Sequence, residues 1–129
     1  MTEFRSGQYL TFRVGRHDFA MLADSVRGVL PIHELVSEER PSSLAGHATM
    51  QGEMFPVFDL RVKLNLRGGV QGRNPSIVVV STAEGLAGFV ADGISEVVYA
   101  RQRDYRAGKI RLGRARPVID AESLELVTL

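Results

Sequence analysis

The stretch Gly52-Glu53-Met54-Phe55-Pro56-Val57-Phe58-Asp59-Leu60 is an apolar strand that runs into a polar corner. Residues 60–64 have the pattern of one or two helical turns, and Asp59 stands at the position of an N-cap. Its carboxylate can accept hydrogen bonds from the unpaired amides of that first turn. The same pattern returns as Pro117-Val118-Ile119-Asp120, followed by Ala121-Glu122-Ser123-Leu124. Each half of the chain is therefore predicted to end in the same strand-to-cap corner.

A second repeat lies upstream of this corner in each half. Met21 to Leu30 matches Phe89 to Val98 in character, with two apolar residues before Ala-Asp and a similar apolar pattern after it. Two repeats in the same order indicate an internal duplication, which has to be recognised before the fold is assigned. We expect a single domain with approximate halves 8–66 and 76–129, joined by a glycine-rich connector at 67–75.

The composition is that of a soluble globular domain. A chain of 129 residues is long enough to bury a core. The absence of cysteine excludes disulfides and thiolate metal sites and suits a reducing cytosol. The N-terminal residues lack the apolar core of a signal peptide, and no apolar run approaches the length of a membrane span. We expect a cytoplasmic protein that reaches a membrane only through a partner.

Short strands alternate with turn residues along the chain. Residues 9–14 alternate as in a half-buried strand, and the β-branched run 77–80 predicts a strand covered on both faces. Turn residues at 51–53 and 92–93 predict tight hairpins, and the polar stretch 33–43 predicts a loop. About ten short strands without a long helical period favour an all-β fold of barrels.

Positive charge is concentrated between residues 101 and 116. This segment holds seven basic residues and one acid, whereas the rest of the chain holds nine basic and fourteen acidic residues. The asymmetry indicates either a solvated, arginine-rich hairpin or a surface for an acidic partner. It motivates an alternative function, a small β-barrel that binds RNA or another polyanion. The basic patch consists of Arg101, Arg103, Arg106, Lys109, Arg111, Arg114 and Arg116.

The titratable residues form no catalytic pattern. The histidines stand apart, without metal-ligand spacing, and the sequence contains neither a phosphate-binding loop nor a nucleophile elbow. The most regularly placed carboxylates stand where a turn or a cap needs an acceptor: Asp24, Asp59, Asp92 and Asp120. We therefore expect a binding module without catalytic residues, metal or cofactor.

Taken together and in order, these motifs resemble CheW, the bacterial chemotaxis coupling protein. The second-half signature runs from Gly88 to Val98, and the strand 9–14 and the ending 117–126 are similar too. The first-half signature consists of Pro41, Gly46, Gly52, Pro56-Val57, Asp59-Leu60-Arg61 and Leu64. The resemblance implies two intertwined five-stranded SH3-like barrels, with short helical turns after the Pro-Val-x-Asp corners.

The resemblance also implies a non-enzymatic adaptor that joins chemoreceptor tips to the CheW-like regulatory domain of a CheA-type histidine kinase. The partner-binding residues that it implies are Val26, Val29, Gln51, Val90, Ile94 and Val97. Ordinary core packing is the alternative for the apolar ones. Gln51 stands where the family usually has arginine, and Gly28 stands where an acidic residue is common. A divergent member is therefore expected, and an output such as surface motility stays open beside chemotaxis.

Overall fold

The structure, a computed structural model, describes residues 4–39, 42–66 and 74–127. Pro41 and most of the predicted connector lie outside these ranges. In chain order the elements are β1 (Gly7–Val14), β2 (His17–Leu22), β3 (Val26–Pro31), β4 (Val36–Ser37), β5 (Leu44–Met50), β6 (Glu53–Phe58), α1 (Leu60–Lys63), β7 (Ser76–Thr82), β8 (Gly85–Ala91), β9 (Gly93–Ala100), β10 (Tyr105–Arg106), β11 (Lys109–Leu112), β12 (Arg114–Pro117), β13 (Ile119–Asp120) and β14 (Glu125–Leu126). Among the described residues, no helix is long and apolar enough to cross a membrane.

The strands form two SH3-like units that each draw on both halves of the chain. One sheet has the order β2-β1-β9, and another has the order β3-β7-β8-β6-β5-β4. The β1–β2 hairpin of the first half thus pairs with β9 of the second half, and the β7–β8 hairpin pairs with β3 of the first. This exchange of hairpins confirms the prediction that the units are intertwined. The ladders themselves stay open, because β10-β11-β12 and β13-β14 form separate sheets.

The pairing pattern confirms the duplication. The strand order β9-β1-β2 matches β3-β7-β8, and the meander β10-β11-β12 matches β4-β5-β6. Both β9 and β3 contain a register shift against their partner strands. In each unit, the second strand of the hairpin also forms a parallel β-pairing with the residues of the Pro-Val corner. Gly88 pairs with Val57 in one unit, and Ala20 pairs with Val118 in the other. The repeat is therefore one of topology as well as of sequence.

Strand β7 explains why the run 77–80 is apolar throughout. Ile77 and Val79 pack into the core of the unit that contains the six-stranded sheet, the β3–β8 unit. Val78 and Val80 pack into the core between the two units. All four side chains are fully buried. Alternate residues thus serve two different cores, which confirms the prediction that both faces are covered. A third core around Tyr9 and Ile110 lies inside the other unit.

The two predicted corners differ in regularity. The Asp59 carboxylate accepts a hydrogen bond from the Arg61 amide at 2.9 Å, so the predicted N-cap of α1 is confirmed. Its carbonyl accepts from the Lys63 amide at 3.0 Å, and the Asp120 carbonyl likewise accepts from the Leu124 amide at 2.7 Å. The second corner forms a hydrogen-bonded turn and not a helix.

Two local predictions are wrong. Asp92-Gly93 does not close a hairpin, because β8 pairs with β7 and β6 whereas β9 crosses to the other unit and pairs with β1. The stretch predicted as a loop contains the short edge strand β4, in which Val36 pairs with His47. Both errors have the same cause, since the pairing partner of each segment lies outside the window that a local pattern covers. The Gln51-Gly52 hairpin between β5 and β6 is confirmed.

Candidate protein-docking surfaces

Two strands at sheet edges carry most of the predicted partner-binding residues. Strand β3 ends the six-stranded sheet and β9 ends the three-stranded one, and the repeat makes these two strands equivalent. Val29 on β3 is 47% exposed, and Ile94 and Val97 on β9 are 38% and 52% exposed. Val26 differs from them, because it is half-buried and packs against the core between the units. The β3 edge therefore presents one exposed apolar side chain, Val29, and the equivalent β9 edge presents two.

The β9 edge is shaped for side-chain contacts more than for strand addition. At the irregularity opposite Leu10 and Phe12, the buried Thr11 hydroxyl donates to the Glu96 carbonyl at 2.9 Å and accepts from the Glu96 amide at 3.1 Å. These bonds direct the backbone polar groups of Glu96 toward β1. A bulged edge of this kind resists pairing with a further strand. A partner at this edge would meet the exposed Ile94 and Val97 side chains.

A groove of about 510 Å³ lies beside α1 and between the two units. Its apolar wall comes from Val14, Leu35, Leu44, Val62 and Val90. Val90 is thus the predicted residue that lies in a concavity, half-buried and in contact with the core of the β3–β8 unit. The rest of its lining is polar or charged and includes Glu38, Asp59, Arg61 and Asp92.

One ion pair at this groove could not be identified from the sequence. The buried Asp92 carboxylate accepts from Arg61 at 2.6 Å and from the Gly15 amide at 2.5 Å. Its own amide donates to the Arg13 carbonyl at 2.8 Å. The Arg61 side chain remains 29% exposed toward the groove. Asp92 therefore connects the β1–β2 turn, helix α1 and the start of β9, which is a larger role than a local turn acceptor.

Gln51 and Gly28, the two departures from the family pattern, lie near each other in the fold. Gln51 is exposed at the tip of the β5–β6 turn, with a φ of 52°, and Gly52 follows with a φ of 82°. A Cβ on Gly28 would lie 3.2 Å from the Met50 sulfur. The thioether of Met50 therefore covers the glycine of β3, next to the turn that presents Gln51.

The predicted basic patch divides into engaged and free side chains. Arg114 is paired with Asp18. Arg116 is only 12% exposed and donates to the Leu112 carbonyl at 3.1 Å, and Arg101 stacks over Tyr99. The side chains of the remaining four are exposed and have no ion pair or hydrogen bond with the described part of the chain: Arg103, Arg106, Lys109 and Arg111.

The fold defines a duplicated all-β domain built from two SH3-like units with exchanged hairpins. Comparison with protein families identifies it further. The CheW-like domain matches residues 8–123, and the chain therefore belongs to the CheW-like family.

Relatives agree with this assignment. The chain is 28% identical over 98 residues to the chemotaxis protein CheW of Helicobacter pylori, covering 75% of this chain and 59% of that protein. It is 24% identical over 94 residues to the chemotaxis protein CheW of Klebsiella aerogenes, covering 70% and 55%. The chain thus matches little more than half the length of these curated relatives. The crystal structure of the scaffolding protein TtCheW from Thermoanaerobacter tengcongensis superposes with a TM-score of 0.82 at 16% identity, covering 95% of this chain and 89% of that one.

Proposed function

We propose that this protein is a non-enzymatic adaptor of chemosensory signalling that couples chemoreceptors to a CheA-type histidine kinase at cytoplasmic receptor arrays. The observation that carries the proposal is the pair of equivalent edges in one duplicated domain, with Val29 exposed on one and Ile94 and Val97 exposed on the other. These edges, together with the groove beside α1, give one molecule separate surfaces for two partners. The relatives support the same role, since two are named chemotaxis proteins and one is described as a scaffolding protein.

The regularly placed carboxylates support a role in binding and not in catalysis. Asp59 caps α1, Asp92 holds Arg61 and the Gly15 amide, and Asp120 accepts from the Ser123 hydroxyl at 3.0 Å. Each of these groups therefore has a structural task of its own. A paired acid and base for proton transfer would have to lie together around one substrate position.

The shapes of the surfaces suggest how two partners are distributed. The groove between the units is concave and has an apolar wall, so it suits the apolar face of a helix from a receptor tip. The β9 edge is extended and presents Ile94 and Val97, so it suits the surface of another β-barrel, such as the regulatory domain of the kinase. Gln51, at a turn beside β3, is placed to influence contacts at the other edge.

Calorimetric titration with the regulatory domain of the CheA-type kinase encoded nearest to this protein tests the proposal. We expect association in the micromolar range and a loss of about tenfold in affinity for Val97→Ser, because burial of one valine side chain contributes about 1.5 kcal/mol. Val36→Ser is the matched control, since Val36 is also an exposed valine, at 71% against 52% for Val97, and lies on β4 in the other sheet. Absence of binding at tens of micromolar, or equal losses in both variants, would refute the proposal.

A further inference from the structure

The outer faces of the two meanders are equivalent positions of one repeated fold. In β4-β5-β6, His47 lies opposite Val36 on one side and Pro56 on the other. In β10-β11-β12, Lys109 lies opposite Arg106 and Pro117 in the same way. On the central strands β5 and β11, the next residues, Ala48 and Ile110, are buried. The residues after them, Thr49 and Arg111, point outward again. The register of the two faces therefore matches position by position.

The equivalent positions differ completely in charge. Val36, His47 and Thr49 on one face correspond to Arg106, Lys109 and Arg111 on the other. Because the same backbone accepts uncharged residues at these three positions, the fold itself does not require cations there. We name the three cations Arg106, Lys109 and Arg111 the cationic face.

The cationic face is also unfavourable for the isolated domain. Arg106 and Lys109 are directly opposite each other on neighbouring strands, an arrangement in which like charges repel. Within residues 4–39, 42–66 and 74–127, no acidic side chain pairs with any of the three. Arg114 and Arg116, by contrast, have acidic neighbours in Asp18 and Glu96. The repulsion on the face would be relieved by carboxylates that come from outside the domain.

We propose that the cationic face binds an acidic, extended segment of a partner protein. Lys109 and Arg111 are two residues apart on β11, so their side chains leave the sheet about 7 Å apart. Alternate side chains of an extended peptide have the same spacing, so acidic residues at alternate positions can meet both cations. Arg106, which lies opposite Lys109 on the neighbouring strand β10, adds a third donor at the side of such a segment.

The rest of the face favours a protein over a nucleic acid. Ala115 and Pro117 complete it, and neither provides an aromatic ring on which a base could stack. Tyr105 is half-buried and stacks on Phe4, and Tyr99 lies on β9, outside the cationic face.

Binding of a peptide of alternating glutamate and serine tests this proposal, with the intact protein at low and at physiological salt. We expect binding that weakens with salt, and a loss of about tenfold when Arg106→Gln, Lys109→Gln and Arg111→Gln are combined, because three charge-assisted contacts are removed. The matched control combines Arg5→Gln, Arg16→Gln and Arg27→Gln, three exposed arginines elsewhere, and should bind as the unchanged protein does.

Three results would overturn the proposal. They are absence of peptide binding, equal losses in both triple variants, and tighter binding of an oligothymidylate of the same charge than of the peptide. All substituted residues are exposed, so each variant should retain its fold, which circular dichroism checks. The kinase titration uses the β9 edge instead, so failure of one proposal leaves the other standing.

Discussion

The two Ala-Asp turns of this protein begin from the same sequence pattern and reach different structures. Asp24 is exposed in a short 3-10 turn between β2 and β3. Asp92, its equivalent between β8 and β9, is buried and holds both Arg61 and the Gly15 amide. Duplication thus preserved the order and pairing of the strands, whereas the long-range contacts of one side chain made the second turn a structural junction. The same divergence separates the uncharged meander face from the cationic one.

The largest expected effect distinguishes these two turns. Asp92→Ala should lower the free energy of unfolding by about 2–3 kcal/mol, because it leaves Arg61 and a backbone amide without their carboxylate. Asp24→Ala should change it by less than about 0.5 kcal/mol, as is usual for an exposed residue. Urea denaturation of both variants measures the difference. Similar losses would mean that the buried pair does not stabilise the fold.

The two strand-to-cap corners should differ in a smaller way. Asp59→Ala should cost about 1 kcal/mol of stability, because α1 loses its N-cap hydrogen bond. Asp120→Ala should cost less, because the carboxylate there bonds only the exposed Ser123 hydroxyl among the described residues. The same denaturation experiment checks the order. A larger loss at Asp120 would contradict the assignment of the capped corner to the first half.

Gln51→Arg tests whether the departure near the β3 edge sets the choice of partner. We expect affinity for a conventional CheA-type kinase or chemoreceptor to rise several-fold, because arginine restores a charge and a bidentate donor at an exposed turn. Thr49→Arg provides the control, since it adds the same charge at a nearby exposed position of β5. Unchanged affinity in Gln51→Arg would show that this position does not determine partner choice.

The smallest effect concerns the cores of the two units. Tyr9 on β1 corresponds to the apolar Ile77 on β7, since they occupy the same position in the repeated pairing. Burial raises the pKa of the Tyr9 phenol above its ordinary value. The folded state therefore holds this proton more tightly than the unfolded state does. The contribution of the protonated Tyr9 phenol to the free energy of unfolding is complete below about pH 10. It is lost as the pH rises through the folded-state pKa.

Stability measured between neutral pH and the alkaline range should therefore fall above about pH 10. Tyr9→Phe should reduce this dependence, although it also removes the hydrogen bond from the phenol to the Arg5 carbonyl. The same slope in Tyr9→Phe and in the unchanged protein would assign the alkaline loss to other groups.

Features with a local cause could be predicted from the sequence. The Asp59 cap, the Gln51-Gly52 hairpin and the doubly covered strand β7 each depend on residues within a few positions of one another. The duplication could be predicted because two motifs recur in the same order. Its topology, with exchanged hairpins, came from the family resemblance and not from the pattern itself.

Features with a distant cause could not be predicted. Asp92 meets Arg61 and Gly15, which are 31 and 77 positions away, and no local pattern specifies such a contact. Asp-Gly after an apolar strand is a typical hairpin signal, yet the more extensive pairing of β9 with β1 determines the path of the chain. The division of the basic patch into paired and unpaired side chains could not be predicted for the same reason, because Arg114 pairs with Asp18, which is 96 positions away.

Simultaneous binding of two partners is the most direct test of the adaptor proposal. The regulatory domain of the kinase should be titrated into this protein alone and into its complex with a receptor-tip fragment, with sedimentation velocity to identify the species. The proposal predicts a complex of all three proteins, in which the kinase domain binds at least as tightly as it binds the adaptor alone. Displacement of one partner by the other would contradict the claim that a duplicated domain presents two separate docking surfaces.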